Sequence, residues 1–169
     1  MPSTDGRSAS DSLCTQPTEH AREFHFHSSP FESTSVRNEI VDALYDAART
    51  PMQAAGLVGD VFGRMRAAGL GHLADDPDEF CPVRSQPELW EMKWKFKRMG
   101  EYRLYHAEPG RSPDLVALRF HRKDTDRFAS STEINQRQNV EMELAAARYE
   151  AGEDHRWGHT RGCGDCLGD

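Results

Sequence analysis

The stretch with the most chemically versatile side chains runs from Leu89 to His106 and reads LWEMKWKFKRMGEYRLYH. Bulky apolar residues alternate with charged ones on both sides of a glycine, a pattern typical of two strands of a hairpin. Because successive side chains of a strand point to opposite faces, one face of this hairpin collects the charges. That face is a candidate surface for an anionic ligand.

The concentration of cations contrasts with the acidity of the whole chain, which has a net charge of −7. Residues 84–127 carry 11 Lys/Arg against 7 Asp/Glu, a net of +4, whereas residues 1–83 and 128–169 have net charges of −7 and −4. A globally acidic chain does not suit non-specific coating of nucleic acid. A local basic patch instead indicates a focused anionic ligand.

Three predicted strands, at 89–96, 102–107 and 115–122, bring further polar side chains to this face. Alternation assigns Val116, Leu118 and Phe120 of the third strand to the apolar face, together with the tryptophans, which we interpret as core. The polar set predicted on the opposite face is Glu91, Lys93, Lys95, Arg103, Tyr105, Arg119, His121 and Lys123. We expect this set, with Lys97 and Arg122 beside it, to form a ligand face.

Residues of these types could cleave RNA without a metal or another cofactor. His121 titrates near neutral pH and could act as base or acid, with Glu91 as an alternative base. Arg103 can hold a phosphate by two hydrogen bonds, Lys93 and Lys123 add positive charge, and Tyr105 could stack on a base. The alternative interpretation is an ordinary solvated face of a sheet.

The remaining periodicities predict an α+β domain over 21–150. A short strand at 22–29 precedes two helices, one capped by Ser35 and one opened by Pro51, and a last helix spans 132–150. The element order is β-α-α-β-β-β-α, an antiparallel sheet packed on a helical hairpin and a C-terminal helix. Residues 1–20 are predicted to be a disordered tail, and 151–169 a tail rich in Gly, His and Cys.

The C-terminal tail contains a separate candidate metal site. His155, His159, Cys163 and Cys166 follow one another with the spacing H-x3-H-x3-C-x2-C, which suits tetrahedral zinc of a structural kind. A redox pair and an accidental Cys-x-x-Cys are the alternatives. We interpret the four cysteines as reduced, and His25 and His27 as the solvated face of the first strand.

The hairpin also carries a family resemblance. LWEMKWKF followed by GEYRLYH resembles the LWELR…YRVLY signature of the HigB-like branch of the RelE/ParE toxin superfamily, and LVALRFHRKDT resembles its next strand, which usually reads LLHGFxKKT. The resemblance covers residues 22–150. It implies a RelE-like fold in which Arg103 contacts phosphate and Arg122 with Lys123 matches the Lys-Lys pair of the family.

The resemblance further implies an endoribonuclease that cleaves mRNA on the ribosome and is neutralised by a helix-turn-helix antitoxin. The alternative is a catalytically inactive RelE-fold binding module or inhibitor, favoured by the acidic balance and by the absence of the Lys-Thr-Pro segment usual in the family. A zinc-stabilised adaptor is a third option. No membrane-spanning or secretory segment is apparent, so we expect a cytoplasmic protein.

Overall fold

The computed structural model describes residues 6–123 and 128–167, so residues 1–5, 168 and 169 of the predicted tails lie outside the described part. Its five strands are β1 (Phe24–Phe26), β2 (Phe80–Pro82), β3 (Leu89–Phe96), β4 (Gly100–Ala107) and β5 (Leu115–Arg122). They form one sheet in the order β1-β5-β4-β3-β2. The predicted α+β class is confirmed, with one edge strand, β2, that the sequence did not predict.

The sheet is mixed rather than antiparallel, because β1 runs parallel to β5 whereas the other neighbours are antiparallel. A parallel pair needs a crossover connection. Here the connection is the whole stretch of chain from the helical hairpin to β4, which separates β1 from β5 in the sequence. Residue alternation within a three-residue strand carries no information about that pairing. The prediction of an antiparallel sheet is therefore wrong for β1.

The predicted helical hairpin is confirmed as α1 (Val36–Ala47) and α2 (Pro51–Gly69). Ser35 caps α1 by accepting a hydrogen bond from the Asn38 N–H, and Pro51 begins α2. Val36, Ile40 and Leu44 recur every four residues and are fully buried. They pack the hairpin onto one face of the sheet, against residues that include Trp94, Leu104 and Phe120.

A β-bulge in β5 changes the predicted distribution of its side chains. Tyr105 of β4 lies opposite Arg119, but its neighbour His106 lies opposite Ala117, so Leu118 is an extra residue. Val116 and Leu118 consequently pack on the face away from the helical hairpin, whereas Phe120 packs toward the hairpin. The prediction that these three residues share one face is wrong, because strict alternation does not continue through a bulge.

The third helix, α3 (Ser131–Gly152), crosses the second face of the sheet. Ser130 caps it in a reciprocal capping box with Glu133, and the helix begins one residue earlier than predicted. Its buried residues, Ala145, Arg148 and Gly152, all belong to its second half. The first half of α3 is therefore mostly exposed and makes few contacts with the sheet.

A tight chain reversal follows α3 and anchors its end. Arg156 and Trp157 have φ angles of 53° and 58°, and Gly158 has a φ of 82°. The Trp157 indole is fully buried and stacks on Tyr149 with ring centroids 5.3 Å apart. A Cβ on Gly152 would lie 2.1 Å from Trp157 Cδ1, so only glycine lets the indole pack here.

Described segments near both ends of the chain fold against the sheet, although the sequence indicated tails. Ala9–Asp11 and Leu13–Thr15 form two 3-10 turns that bury Cys14, so this part of the predicted disordered segment is ordered. At the other end, the Phe26 N–H donates to the Asp165 carbonyl at 2.7 Å and the Leu167 N–H donates to the Phe24 carbonyl at 2.8 Å. Among residues 6–123 and 128–167, no helix is both long and apolar enough to cross a membrane.

His27, directly after β1, gives the fold a predicted dependence on pH. Its side chain is buried, and burial together with the positive charge of Arg148 lowers its pKa to about 4. The unfolded chain therefore binds this proton more readily, and stability should fall as the pH drops from about 6.5 to about 4, by up to roughly 3 kcal/mol. Urea unfolding at several pH values measures this slope.

The matched variants are His27→Gln, which should flatten this part of the pH profile, and His72→Gln, which replaces an exposed histidine and should leave it unchanged. A profile for His27→Gln as steep as that of the parent protein would contradict the assignment.

Candidate metal centre and charged face

Four side chains from the two ends of the chain converge on one point beside β1. They are His25, His159, Cys163 and Cys166, and their ligand atoms all lie within 4.8 Å of one another. The two sulfur atoms are 3.4 Å apart, too far for a disulfide bond. Each sulfur lies between 3.3 and 3.6 Å from the Nδ1 atoms of both histidines. The cluster is a candidate metal centre with two thiols and two imidazoles.

The separations fit a tetrahedral ion. Zinc bonds of about 2.3 Å to sulfur and 2.0–2.1 Å to nitrogen place ligand atoms roughly 3.3–3.8 Å apart at tetrahedral angles. The observed sulfur–nitrogen and sulfur–sulfur distances lie in this range. Four protein ligands fill the coordination shell, which is typical of structural rather than catalytic zinc sites.

The remaining nitrogen of each histidine is also held in place. His25 Nε2 lies 2.8 Å from the Trp157 carbonyl oxygen, and His159 Nε2 lies 2.9 Å from Glu23 Oε2 and 3.3 Å from Ser112 Oγ. Since a carbonyl oxygen and a carboxylate only accept, both Nε2 atoms carry the hydrogen and both Nδ1 lone pairs point into the cluster. Metal-bound histidines commonly have such outer partners, which fix the tautomer and the ring orientation.

The local chain geometry explains how these residues meet. The C-x2-C segment turns at Gly162, whose φ is 75°, and Cys166 forms a bridge with His25. The reversal at residues 156–158 brings His159 to the same place. Burial and the neighbouring Cys163 thiol raise the pKa of Cys166 to about 12, so the thiolate forms here only with a compensating cation.

Three of the four predicted ligands are therefore brought together, and the fourth is replaced. His155 is exposed and outside the cluster, whereas His25 completes it. The interpretation of His25 and His27 as a solvated strand face is wrong, because both side chains are buried. The alternation FHF correctly placed His25 on a strand. Nothing in the local sequence indicates that this strand lies beside residues 159–166, so His25 could not be identified as a ligand.

The predicted polar face of the sheet exists, and strand register sets its order. One row runs across the strands from Glu91 to Tyr105 to Arg119, and the next from Lys93 to Arg103 to His121. We call these six residues the charged face. Lys95 lies opposite Glu101 in the following row, and Lys123 Nζ comes 3.6 Å from Glu101 Oε2. The charged face is the face that α3 crosses.

Acidic partners pair with most of these cations, contrary to the expectation of an open basic surface. Arg103 Nε lies 2.8 Å from Glu91 Oε1, and its Nη2 donates to Glu101 Oε2 at 2.9 Å. Arg119 is 3.0 Å from Glu39 of α1 and 2.6 Å from Glu141 of α3. Arg103 is only 5% exposed, and its Nη1 has no hydrogen-bond partner among the residues that the structure describes.

A histidine–tyrosine pair occupies the centre of the charged face. His121 Nδ1 lies 3.1 Å from the Arg122 carbonyl, so Nδ1 carries the hydrogen and Nε2 accepts from the Tyr105 hydroxyl at 3.2 Å. Burial lowers the pKa of His121, with Arg119 and Arg103 acting in the same direction against Glu141. Burial and the Glu91 carboxylate raise the pKa of Tyr105. A neutral imidazole therefore faces a protonated phenol.

Other residues of the predicted RNA-binding set lie away from this centre. Lys95 and Lys97 are exposed near the tip of the hairpin, and Lys93 Nζ donates to the Pro77 carbonyl at 2.8 Å. Arg122 lies opposite Tyr102, on the face of the helical hairpin, because it neighbours His121 along the strand. The structure thus places Arg122 outside the rows of the charged face, although it lines the same cavity as His121.

Two cavities reach the charged face from either side of α3. A cleft of about 1250 Å3 is lined by residues that include Arg84, Glu91, Lys93 and Asn139. A cavity of about 350 Å3 is lined by His121 and by Arg137, Gln138 and Glu141 of α3. Gln138 also donates to Glu91 at 3.5 Å. The first half of α3 therefore separates two openings onto one set of polar residues.

Comparisons with family models, with curated proteins and with solved structures found no match for this chain.

Proposed function

We propose that this chain is a toxin-like endoribonuclease of the RelE/HigB type, with its C-terminal segment fixed by a structural zinc ion. The observation that carries the proposal is the register that aligns a carboxylate, a guanidinium, an imidazole and a phenol on three neighbouring strands. These groups supply a base, a phosphate contact and an acid. The proposed substrate is mRNA, on the ribosome in the cytoplasm, and the proposed inhibitor is a helix-turn-helix antitoxin.

The chemistry is an attack of a 2′-hydroxyl on the adjacent phosphorus. Once the Tyr105 hydroxyl turns from His121 Nε2 toward the leaving 5′-oxygen, that nitrogen or the Glu91 carboxylate accepts the 2′-hydroxyl proton. The new O–P bond forms as the bond to the 5′-oxygen breaks. Arg103 Nη1 donates to the non-bridging oxygens, where negative charge accumulates. Tyr105 donates a proton to the leaving 5′-oxygen. The products carry a 2′,3′-cyclic phosphate and a 5′-hydroxyl.

Access to these groups requires the first half of α3 to move. Arg119 and Gln138 tie it to the sheet, through Glu141 and Glu91 respectively. Only Ile134, Gln138 and Glu141 are partly buried within residues 131–141. Few apolar contacts and exposed termini characterise segments that open at low free-energy cost. We propose that binding of RNA or ribosome displaces this half-helix and joins the two cavities.

The test is cleavage of a defined mRNA on purified ribosomes, read by primer extension and by the chemistry of the new ends. Two variants are informative: the single variant His121→Asn, and the double variant that combines Arg103→Met with Glu91→Gln. Each should reduce cleavage by about 10²–10³-fold. The double substitution removes both members of the buried ion pair, so no charge is left unpaired. Arg49→Ala replaces an exposed arginine between α1 and α2 and should retain full activity.

Full cleavage by both the His121→Asn variant and the double variant would overturn the assignment of these residues to the active site. The lowered pKa of His121 adds a second readout, because a base that stays neutral keeps activity at pH values somewhat below the ordinary histidine pKa.

A catalytically inactive binding module is the second candidate, and the ion pairing favours it. Arg103 and Arg119 each contact two carboxylates, which removes much of the positive charge that RNA would need. Under this alternative, the charged face is an internal polar layer beneath α3. The parent protein would then cleave no RNA with or without ribosomes and would cause no growth arrest.

A further inference from the structure

A second cluster of ligand atoms lies under the N-terminal turns, on the sheet face that packs against the helical hairpin. Cys14 Sγ lies 3.4 Å from His106 Nε2 and 3.9 Å from Glu108 Oε1, and His106 Nε2 lies 3.8 Å from the same carboxylate oxygen. We propose that Cys14, His106 and Glu108 bind a second metal ion of the zinc type, which fixes the N-terminal segment to β4. This proposal is independent of the nuclease proposal.

The geometry of the three atoms suits such an ion. With the observed separations, a point exists that is roughly 2.2 Å from all three atoms, close to the usual lengths of zinc bonds to sulfur, nitrogen and oxygen. Thiolate, imidazole and carboxylate together favour zinc over calcium or magnesium, which prefer oxygen ligands. Three protein ligands leave a fourth position, which a water or the Ser12 hydroxyl can take. Ser12 Oγ already donates to Glu108.

Hydrogen bonding alone accounts poorly for this arrangement. Cys14 and His106 are fully buried, and the Glu108 side chain is 12% exposed. The Cys14 thiol donates to Glu108 Oε1 only at 3.9 Å, and His106 Nε2 is 3.8 Å from the same oxygen, so both contacts to the carboxylate are long for hydrogen bonds. A cation at the centre instead receives a lone pair from each of the three groups.

The charge of the site also favours a cation. Glu108 accepts hydrogen bonds from the Ser12 hydroxyl and the Leu13 N–H, which favour its carboxylate form. Arg22 Nη1 donates to the Leu13 and Gln16 carbonyls. A buried anion without a full counter-charge is costly, and a divalent ion compensates it.

The position of the site gives it a role. Leu13 N–H donates to Glu108, and the Leu73 N–H after α2 donates to the Cys14 carbonyl at 2.9 Å. The turn that carries Cys14 thus joins β4 to the end of the helical hairpin. A metal ion at Cys14 would fasten this junction, as the C-terminal centre fastens the tail to β1.

Metal content of the full-length protein tests the proposal, by mass spectrometry after reconstitution with zinc and dialysis. The parent protein should hold two zinc ions per chain, Cys14→Ser one, Cys163→Ser one, and Cys81→Ser two. Cys81 belongs to neither cluster and is the matched thiol control. Equal zinc content in Cys14→Ser and the parent protein would overturn the proposal.

Cobalt substitution provides a second measurement, because the absorption band of bound cobalt reports directly on its thiolate ligand. In the double variant Cys163→Ser with Cys166→Ser, which lacks both thiols of the C-terminal cluster, the thiolate-to-cobalt charge-transfer band that remains should come from Cys14. Adding Glu108→Gln, which keeps the shape of the side chain, should weaken binding of that ion at least tenfold. A band unaffected by Glu108→Gln would overturn the proposed ligand set, and no second cobalt ion in the parent protein would show that the cluster is a hydrogen-bonded group only.

Discussion

Replacing Cys163 by serine is expected to abolish binding of the proposed C-terminal zinc ion and to lower the free energy of unfolding by several kcal/mol. The substitution leaves three of the four ligands that meet beside β1. Structural zinc contributes its binding free energy directly to folding. At roughly 2–4 °C per kcal/mol for a chain of this size, the melting temperature should fall by about 10–20 °C.

The measurements are zinc content and thermal unfolding, with and without a chelator. A chelator should bring the parent protein close to the melting temperature of Cys163→Ser and should change the variant much less. His25→Gln should behave like Cys163→Ser, whereas His155→Gln, at the exposed histidine, should keep the ion. If His155→Gln lost the ion and His25→Gln retained it, the ligand set from the sequence would be the correct one.

Replacing Arg148 by alanine is expected to have the largest effect outside the metal centres. Its Nη1 donates to Glu39 at 2.5 Å and to the Leu118 carbonyl at 2.7 Å, and its Nη2 donates to Glu32 at 2.8 Å. Arg148 is 8% exposed, and the Glu39 side chain is 7% exposed. Removing one partner of a buried ion pair costs about 3–5 kcal/mol when the other charge is left unpaired. Because Arg119 remains 3.0 Å from Glu39, we expect a loss near the lower end of this range.

Urea unfolding measures this loss, and a double variant identifies its cause. Glu39→Gln combined with Arg148→Met removes both charges and should be less destabilised than Arg148→Ala alone. Arg161→Ala replaces an exposed arginine of the C-terminal segment and should stay within about 0.5 kcal/mol of the parent protein. An Arg148→Ala protein as stable as Arg161→Ala would show that the buried contacts contribute little.

Local patterns were sufficient to predict most elements of the fold. Ser35, Pro51 and the alternation in residues 89–96 mark the helices and strands through interactions within a few residues. The parallel pairing of β1 with β5 and the bulge at Leu118 depend on partners far away in the chain. Neither leaves a local signature, so neither could be predicted.

The same distinction applies to the sites. The spacing of His159, Cys163 and Cys166 indicated a metal centre because these ligands are close in the chain, whereas His25 comes from β1. Alternation correctly grouped Glu91 with Arg103 and His121, but it could not supply the carboxylates of α1 and α3 that neutralise Arg119. The composition of the charged face was predictable, and its electrostatic state was not.

The pairing of the C-terminal segment with β1 has a consequence for association between molecules. One side of β1 is bonded to β5, and the other side bonds residues 165–167 through the Phe26 N–H and the Phe24 carbonyl. An uncovered strand at the margin of a sheet is a template for pairing with another chain. Residues 165–167 cover this edge, and an ion bound by Cys163 and Cys166 would hold them there and so protect β1 from edge-to-edge aggregation.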